Sequence, residues 1–250
     1  MCSKCGHTEL PYWVEWQRQW VLWEYNNGDC PKCEDIEFGQ KWMTEYRKNT
    51  LDNYGLNDGV FATMTFNTYF PDPKYPSQAA AKEAIIAVVR EWKKGNWAAS
   101  ALLRGEDKGC GKTHLVVAAA RNGTETYQPK DLTTPILIMW DMPSYVAAVK
   151  ESYNNGGTEK IQREAQQAGI LVLDDLGAEY VLTGKWYEDL IFTIINERWK
   201  RQRATLVTTN LPTKEELLER IGERAFSRLI GLTGAPIDID GDDYRLRGGR

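Results

Sequence analysis

From residue 77 onward the hydrophobic positions follow two alternating periods. Residues 77–94 carry Ile85, Ile86 and Val89 on one side of a helical repeat, opened by Ser77. A short apolar run at 99–104 reads as a buried strand, followed by a helix over 112–121. The spacing then predicts a strand at 136–140, entered from Pro135, and a helix at 142–153 stopped by Asn154-Asn155-Gly156-Gly157. Further on come a helix over 158–168, a wholly apolar strand at 170–174, a long helix over 186–201, a strand at 205–208 and a helix over 214–220. Strands alternating with helices predict an α/β class, a parallel sheet covered by helices on both faces.

The first 50 residues have a different texture. Trp13, Trp16, Trp20 and Trp23 repeat with a 3-4-3 spacing, which suits a helical stripe. Their aromatic and β-branched surroundings, lying between two pairs of cysteines, also suit a twisted hairpin, and the hairpin is favoured. Asn and Gly over 49–59, then Pro71, Pro73 and Pro76, mark a break. The expected organisation is a small domain at 1–50, a linker at 51–76 and a nucleotide-binding domain at 77–250.

Composition narrows the choice of function. Hydrophobic residues are 42% and charged residues 26% of the 250, as in an ordinary water-soluble chain. The longest apolar stretches are far too short to span a bilayer, and the N-terminus lacks the pattern of a secretory signal. A cytoplasmic protein without a membrane partner is expected. The net charge of −4 confines any nucleic-acid contact to local basic patches.

The strongest chemical signal is Gly105-Glu106-Asp107-Lys108-Gly109-Cys110-Gly111-Lys112-Thr113. Glycines let backbone N–H groups wrap phosphates, and the following helix presents its positive end to them. In this reading Lys112 reaches the outer phosphates of ATP, and the Thr113 hydroxyl ligates magnesium. Gly109, Cys110, Gly111 and the adjoining His114 complete the expected nucleotide contacts. The usual pattern has a glycine five residues before Gly111, where this chain has Glu106. Either the loop is one residue longer, starting at Gly105, or its mouth carries a carboxylate.

A second signal is Ile170-Leu171-Val172-Leu173-Asp174-Asp175. A buried strand ending in two carboxylates, well downstream of the loop lysine, is a Walker B arrangement. Asp174 is the expected magnesium ligand and Asp175 the group that polarises the attacking water. The third signal is Cys2-x2-Cys5 with Cys30-x2-Cys33. Two such pairs supply four thiolates for a tetrahedral zinc ion, which would supply much of the stability of so small a domain.

Gly111-Lys112-Thr113-His114-Leu115 together with Leu173-Asp174-Asp175-Leu176-Gly177-Ala178-Glu179 resembles the AAA+ ATPases of the DnaC/DnaI helicase-loader group and the related IstB transposition helpers. The resemblance covers roughly residues 66–247. It implies a P-loop AAA+ sheet sandwiched by helices, without a C-terminal lid, joined to a small zinc-ribbon-like N-terminal domain. It further implies that Asn210 is the polar residue sensing the γ-phosphate, that Arg228 is an arginine finger offered to a neighbouring subunit, and that Arg245 is a second sensor. Lys150, Tyr153, Lys185 and Tyr187 match positions that line a path for single-stranded DNA. The implied activity is ATP-dependent loading of a hexameric, DnaB-like replicative helicase onto single-stranded DNA, with self-association through the arginine finger. A transposition-helper ATPase and a non-hydrolysing nucleotide switch are the alternatives.

Overall fold

The computed structural model describes residues 12–14, 19–21, 31–129, 134–153, 156–177 and 184–246. The chain divides into two compact units, Met1–Thr50 and Leu51–Arg250. In the first, β1 (Tyr12–Val14) pairs antiparallel with β2 (Gln19–Val21), with Trp13 opposite Trp20. That is hairpin pairing and not a helical stripe. A long helix, α1 (Pro31–Asn53), carries Cys33 in its first turn. The other three cysteines of the expected zinc set, Cys2, Cys5 and Cys30, lie outside the described residues.

The stretch at 51–76, expected as a linker, is instead built into the second unit. Leu56 is fully buried, and Leu51 and Tyr69 are nearly so, within one of its two cores. Its proline and glycine content shapes turns around a short helix, α2 (Gly59–Ala62), without leaving the segment free.

The second unit continues with α3 (Pro76–Lys93), β3 (Ala101–Arg104), α4 (Lys112–Thr126), β4 (Leu137–Asp141), α5 (Met142–Ser152) and α6 (Thr158–Gln167). It then runs through β5 (Ile170–Asp174), α7 (Lys185–Arg201), β6 (Ala204–Thr209), α8 (Lys214–Ile221), α9 (Glu223–Thr233) and β7 (Ile237–Asp238), ending in a 3-10 turn at Tyr244–Leu246. The five strands form one parallel sheet in the order β4-β5-β6-β3-β7.

Strand pleating sends alternate residues to opposite faces, so each central strand feeds two cores. Leu102, Leu171, Leu173 and Val207 pack with side chains from α5 to α9. Leu103, Ile170, Val172 and Leu206 pack against α3 and α4. Both faces being covered explains why β5 is apolar at four successive positions and buried throughout.

Two boundaries differ from the sequence pattern for definite reasons. Ser77 does not cap α3. Pro76 occupies its first turn, and the Ser77 hydroxyl accepts the N–H of Asp240 at 3.0 Å. Helix α4 runs on past Arg121 through Asn122-Gly123. A Cβ at Gly123 would lie 2.5 Å from Ile170 and 2.9 Å from Trp92, so this glycine serves close packing and not termination.

Candidate functional site

Ligands of open parallel sheets bind beyond the carboxyl ends of the strands. Here the loop after β3, Asp175 directly after β5 and Asn210 after β6 all emerge at that edge and line one cleft of about 1380 Å³, with Asp174, the buried last residue of β5, in contact with the lining Thr113. The loop spans Gly105 to Gly111, between the last residue of β3 and the first of α4. It is one residue longer than the usual pattern, and Glu106 is also an exposed carboxylate in the cleft.

The glycines are placed where only glycine fits. Gly111 has φ 107°, and a Cβ there would lie 2.4 Å from the Tyr69 ring. A Cβ on Gly105 would lie 2.0 Å from the carbonyl oxygen of Ile239.

The Lys112 side chain is buried and points back under the loop. Its ammonium donates to the carbonyls of Gly105 at 2.7 Å and Asp107 at 2.8 Å. The neighbouring Thr113 hydroxyl donates to Asp174 at 2.9 Å, and the Thr208 hydroxyl donates to the same carboxylate at 2.6 Å. A hydroxyl and a carboxylate in contact at the head of α4 are a fitting donor pair for a hard divalent cation.

Asp175 has a left-handed backbone, φ 59°, unusual for a residue with a side chain. Two contacts hold it there. Its N–H donates to the Thr208 hydroxyl at 2.9 Å, and its carboxylate accepts the Asn210 amide. Asn210 therefore meets Asp175 directly, a link that its sequence position alone did not reveal. Thr208 holds both aspartates, donating to the Asp174 carboxylate and accepting the Asp175 backbone N–H, and in the sequence it reads as one more β-branched strand residue.

Burial raises the Asp174 pKa. The Thr208 hydroxyl opposes the rise, Asp175 adds to it, and Thr113 opposes it. A carboxyl whose folded pKa lies above its unfolded value holds more protons when folded, so stability falls as pH climbs through that window. Asp174→Asn should therefore raise the urea midpoint of the nucleotide-free chain at neutral pH and flatten its decline above the ordinary carboxylate range. Midpoints measured from pH 4 to 8 check this, and a lower midpoint for the variant across that range would contradict it.

Arg245 also lines the cleft, reaching it after β7. Its guanidinium donates to both oxygens of Asp243 at 2.8 Å. The Tyr244 N–H donates to the Gly109 carbonyl at 3.1 Å, fastening this segment to the phosphate loop. His114 lines the cleft as well, with its ring directed to the carbonyl of Thr65 at 2.8 Å.

Arg228 lies on α9, stacked over the Trp199 ring at 3.9 Å, and is not among the residues lining this cleft. On the same helix Arg224 pairs with Asp189 at 3.0 Å and lies over the Phe192 ring.

The expected DNA contacts separate into two groups. Lys150, Tyr153 and Lys185 are exposed. Tyr187 is 1% exposed and packs in the core with Leu190, Ile191 and Ile194, so it is not a surface contact. Tyr187, Leu190, Ile191, Ile194, Ile195 and Arg198 form one helical stripe, and that register assigns Tyr187 to the interior. Its neighbour Trp186 faces outward. The Trp186 indole N–H donates to the Tyr153 hydroxyl at 2.6 Å, and the Lys150 ammonium lies 5.9 Å from its ring. Trp186 is the residue that sequence reading passed over.

No family model matches the chain. One curated relative, the replicative helicase loader DnaI of Bacillus subtilis (strain 168), is 28% identical over 149 residues, or 55% of this chain. That match spans 45% of DnaI. A crystal structure of the DnaC helicase loader superposes with a TM-score of 0.59 at 25% identity, covering 71% of this chain and 97% of that one. The chain resembles the DnaC/DnaI-type helicase loaders. A crystal structure of DnaI gives 0.55 at 22% identity, covering 68% of this chain and 88% of that one. The replication initiator DnaA, bound to AMPPCP and single-stranded DNA, gives 0.57 at 19% identity over 74% of this chain and 52% of its own. These last two likenesses speak for the fold. This loader-like chain thus has the P-loop ATP-binding fold of the AAA+ ATPases, with its parallel five-stranded sheet. Among the described residues no helix is long and apolar enough to cross a membrane.

Proposed function

We propose that this chain is an ATP-driven loader of a hexameric replicative helicase onto single-stranded DNA. The observation that carries the reading is the cleft, in which the loop lysine, the hydroxyl–carboxylate pair and the Asp175–Asn210 pair converge on a loader-like fold.

In this reading the N–H groups of residues 109–113 bind the phosphates, and Lys112 exchanges its loop carbonyls for phosphate oxygens. Thr113 and Asp174 would hold magnesium, which neutralises charge on the phosphates. Asp175, aimed by Asn210 and by its left-handed backbone, orients the attacking water and accepts its proton. Arg245 leaves Asp243 for the nucleotide, and Arg228 leaves the Trp199 ring to reach the nucleotide of a neighbouring copy.

Lys150, Tyr153, Trp186 and Lys185 form the proposed contact for single-stranded DNA, with ammonium groups for phosphates and rings for bases. Trp186→Ala should weaken binding by ~1–3 kcal/mol, and Tyr187→Phe should leave it unchanged. Anisotropy titrations of a labelled oligonucleotide with ATP check this, and parent affinity should fall as salt rises. A Trp186→Ala chain that binds as tightly as the parent would remove the surface from the proposal.

The N-terminal cysteines are proposed to hold zinc and to shape the surface that grips the helicase. Four thiolates in two C-x2-C pairs are a donor set suited to zinc. The purified chain should contain about one zinc per molecule, and Cys30→Ser should lose it along with helicase capture. Metal analysis and co-sedimentation with the helicase read the two outcomes. Stoichiometric zinc in a Cys2/Cys33 double variant would show that the ligands lie elsewhere.

A further inference from the structure

The cleft is lined by two chemically distinct sets of residues. One is the polar loop of residues 106–113, and the other is apolar and includes Val60, Phe61, Met64 and Phe70. Given the nucleotide reading of this cleft, on which the inference rests, the loop takes the phosphates. A flat, weakly polar base then finds its match in the apolar wall.

The wall is a turn-rich segment held together locally. Thr68 donates to the Thr63 carbonyl at 2.5 Å and accepts the Thr65 N–H at 3.0 Å. Three ties fasten it to the rest of the unit. The Lys82 ammonium donates to the Tyr69 carbonyl at 3.0 Å. The Tyr69 hydroxyl donates to the Cys110 carbonyl at 3.3 Å, with its ring seated against Gly111.

The third tie is His114, whose Nε2 lies 2.8 Å from the Thr65 carbonyl and whose ring meets the edge of Tyr69 at 5.2 Å. A carbonyl only accepts, so Nε2 carries the proton and donates. His114 directly follows Lys112 and Thr113, the two side chains that would meet the phosphates and the metal in the nucleotide reading. It is a short, stiff link from the head of α4 to the base-side wall. We infer that His114 is a positioning residue for the nucleoside half of ATP, holding the wall in register with the phosphate loop without itself contacting phosphate.

The test compares two ligands on the full-length, nucleotide-free chain: ATP and inorganic tripolyphosphate, each with magnesium, titrated calorimetrically. His114→Phe keeps a ring against Tyr69 and removes the donor, whereas His114→Gln keeps an N–H donor and removes the ring. His114→Phe should bind ATP about ten-fold more weakly and tripolyphosphate as the parent does. His114→Gln should recover part of the lost ATP affinity. Parent-like ATP binding by His114→Phe would overturn the inference. So would an equal loss for both ligands, which would place the residue's effect on the phosphate loop. A parent chain that binds tripolyphosphate but shows no added affinity for ATP would overturn the wall's role. A parent that binds neither ligand would instead sink the nucleotide reading beneath it.

Discussion

Lys112→Ala is expected to abolish measurable ATP binding, a loss on the order of 100-fold or more, since two or three charge-assisted hydrogen bonds to phosphate disappear together. The geometry explains the size of the effect. The ammonium is buried beneath the loop, held by the Gly105 and Asp107 carbonyls, and is already stripped of most of its water. Little desolvation remains to oppose phosphate binding, so nearly all of the charge–charge attraction would count. Asp175→Asn should behave differently, keeping ATP binding and losing turnover, because in the proposed arrangement its carboxylate orients the attacking water and does not hold the phosphates. Nucleotide titration beside phosphate release separates the two. Unchanged turnover in Asp175→Asn would withdraw the water-orienting role from that residue.

The largest effect on stability is expected far from the cleft. Arg198 of α7 is fully buried, and among the described residues its hydrogen-bond partners include no carboxylate. Its Nε donates to the Thr205 hydroxyl at 2.8 Å. Its Nη1 donates to the carbonyls of Ala165 at 3.0 Å and Ala168 at 2.9 Å, and its Nη2 to the carbonyl of Ala204. The guanidinium thus satisfies the carbonyls that end α6 and the one that begins β6, tying both to α7. Burial lowers its pKa, and the nearby Arg203 lowers it further. Arg198→Ala removes every donor at once and leaves a cavity beside unpaired carbonyls. We expect a loss of about 4 kcal/mol, a large share of the stability of a unit of this size. Arg198→Lys should recover little of it, since one ammonium cannot span the acceptors at the end of α6 and the start of β6. Urea unfolding of the three chains checks this. A midpoint shift for Arg198→Ala within the scatter of surface substitutions would contradict it.

The α/β order of the second unit was legible in the sequence because the two periods there are clean. Residues 170–173 are apolar without a break, and that is the mark of a strand covered on both faces. The phosphate loop was legible because its glycines answer a steric demand. Other features depend on contacts between residues distant in the chain, and local pattern does not encode them. The two-residue strand β7 exists only because it lies against β3. Tyr69 looks like any linker aromatic until its ring is seen on Gly111, 42 residues away by their numbers. Helix α1 escaped notice because its sequence is dominated by polar residues, and the Asn-Gly signals at its end suggested a linker. The Tyr187 assignment failed for a more instructive reason. The apolar stripe of α7 was present in the sequence, and following it back one further turn places Tyr187 inside and Trp186 outside. The register of the stripe, and not the basic–aromatic pairing, decides which ring faces outward.

The central claim, that ATP bound at this cleft drives a helicase onto single-stranded DNA, is tested most directly by a loading assay. The replicative helicase is mixed with a single-stranded circle coated by single-strand-binding protein and bearing an annealed oligonucleotide, and oligonucleotide release is followed. Release should depend on the parent chain together with ATP, and should be lost with Lys112→Ala although that chain still binds the helicase. Release at the same rate with Lys112→Ala, or without this chain at all, would contradict it.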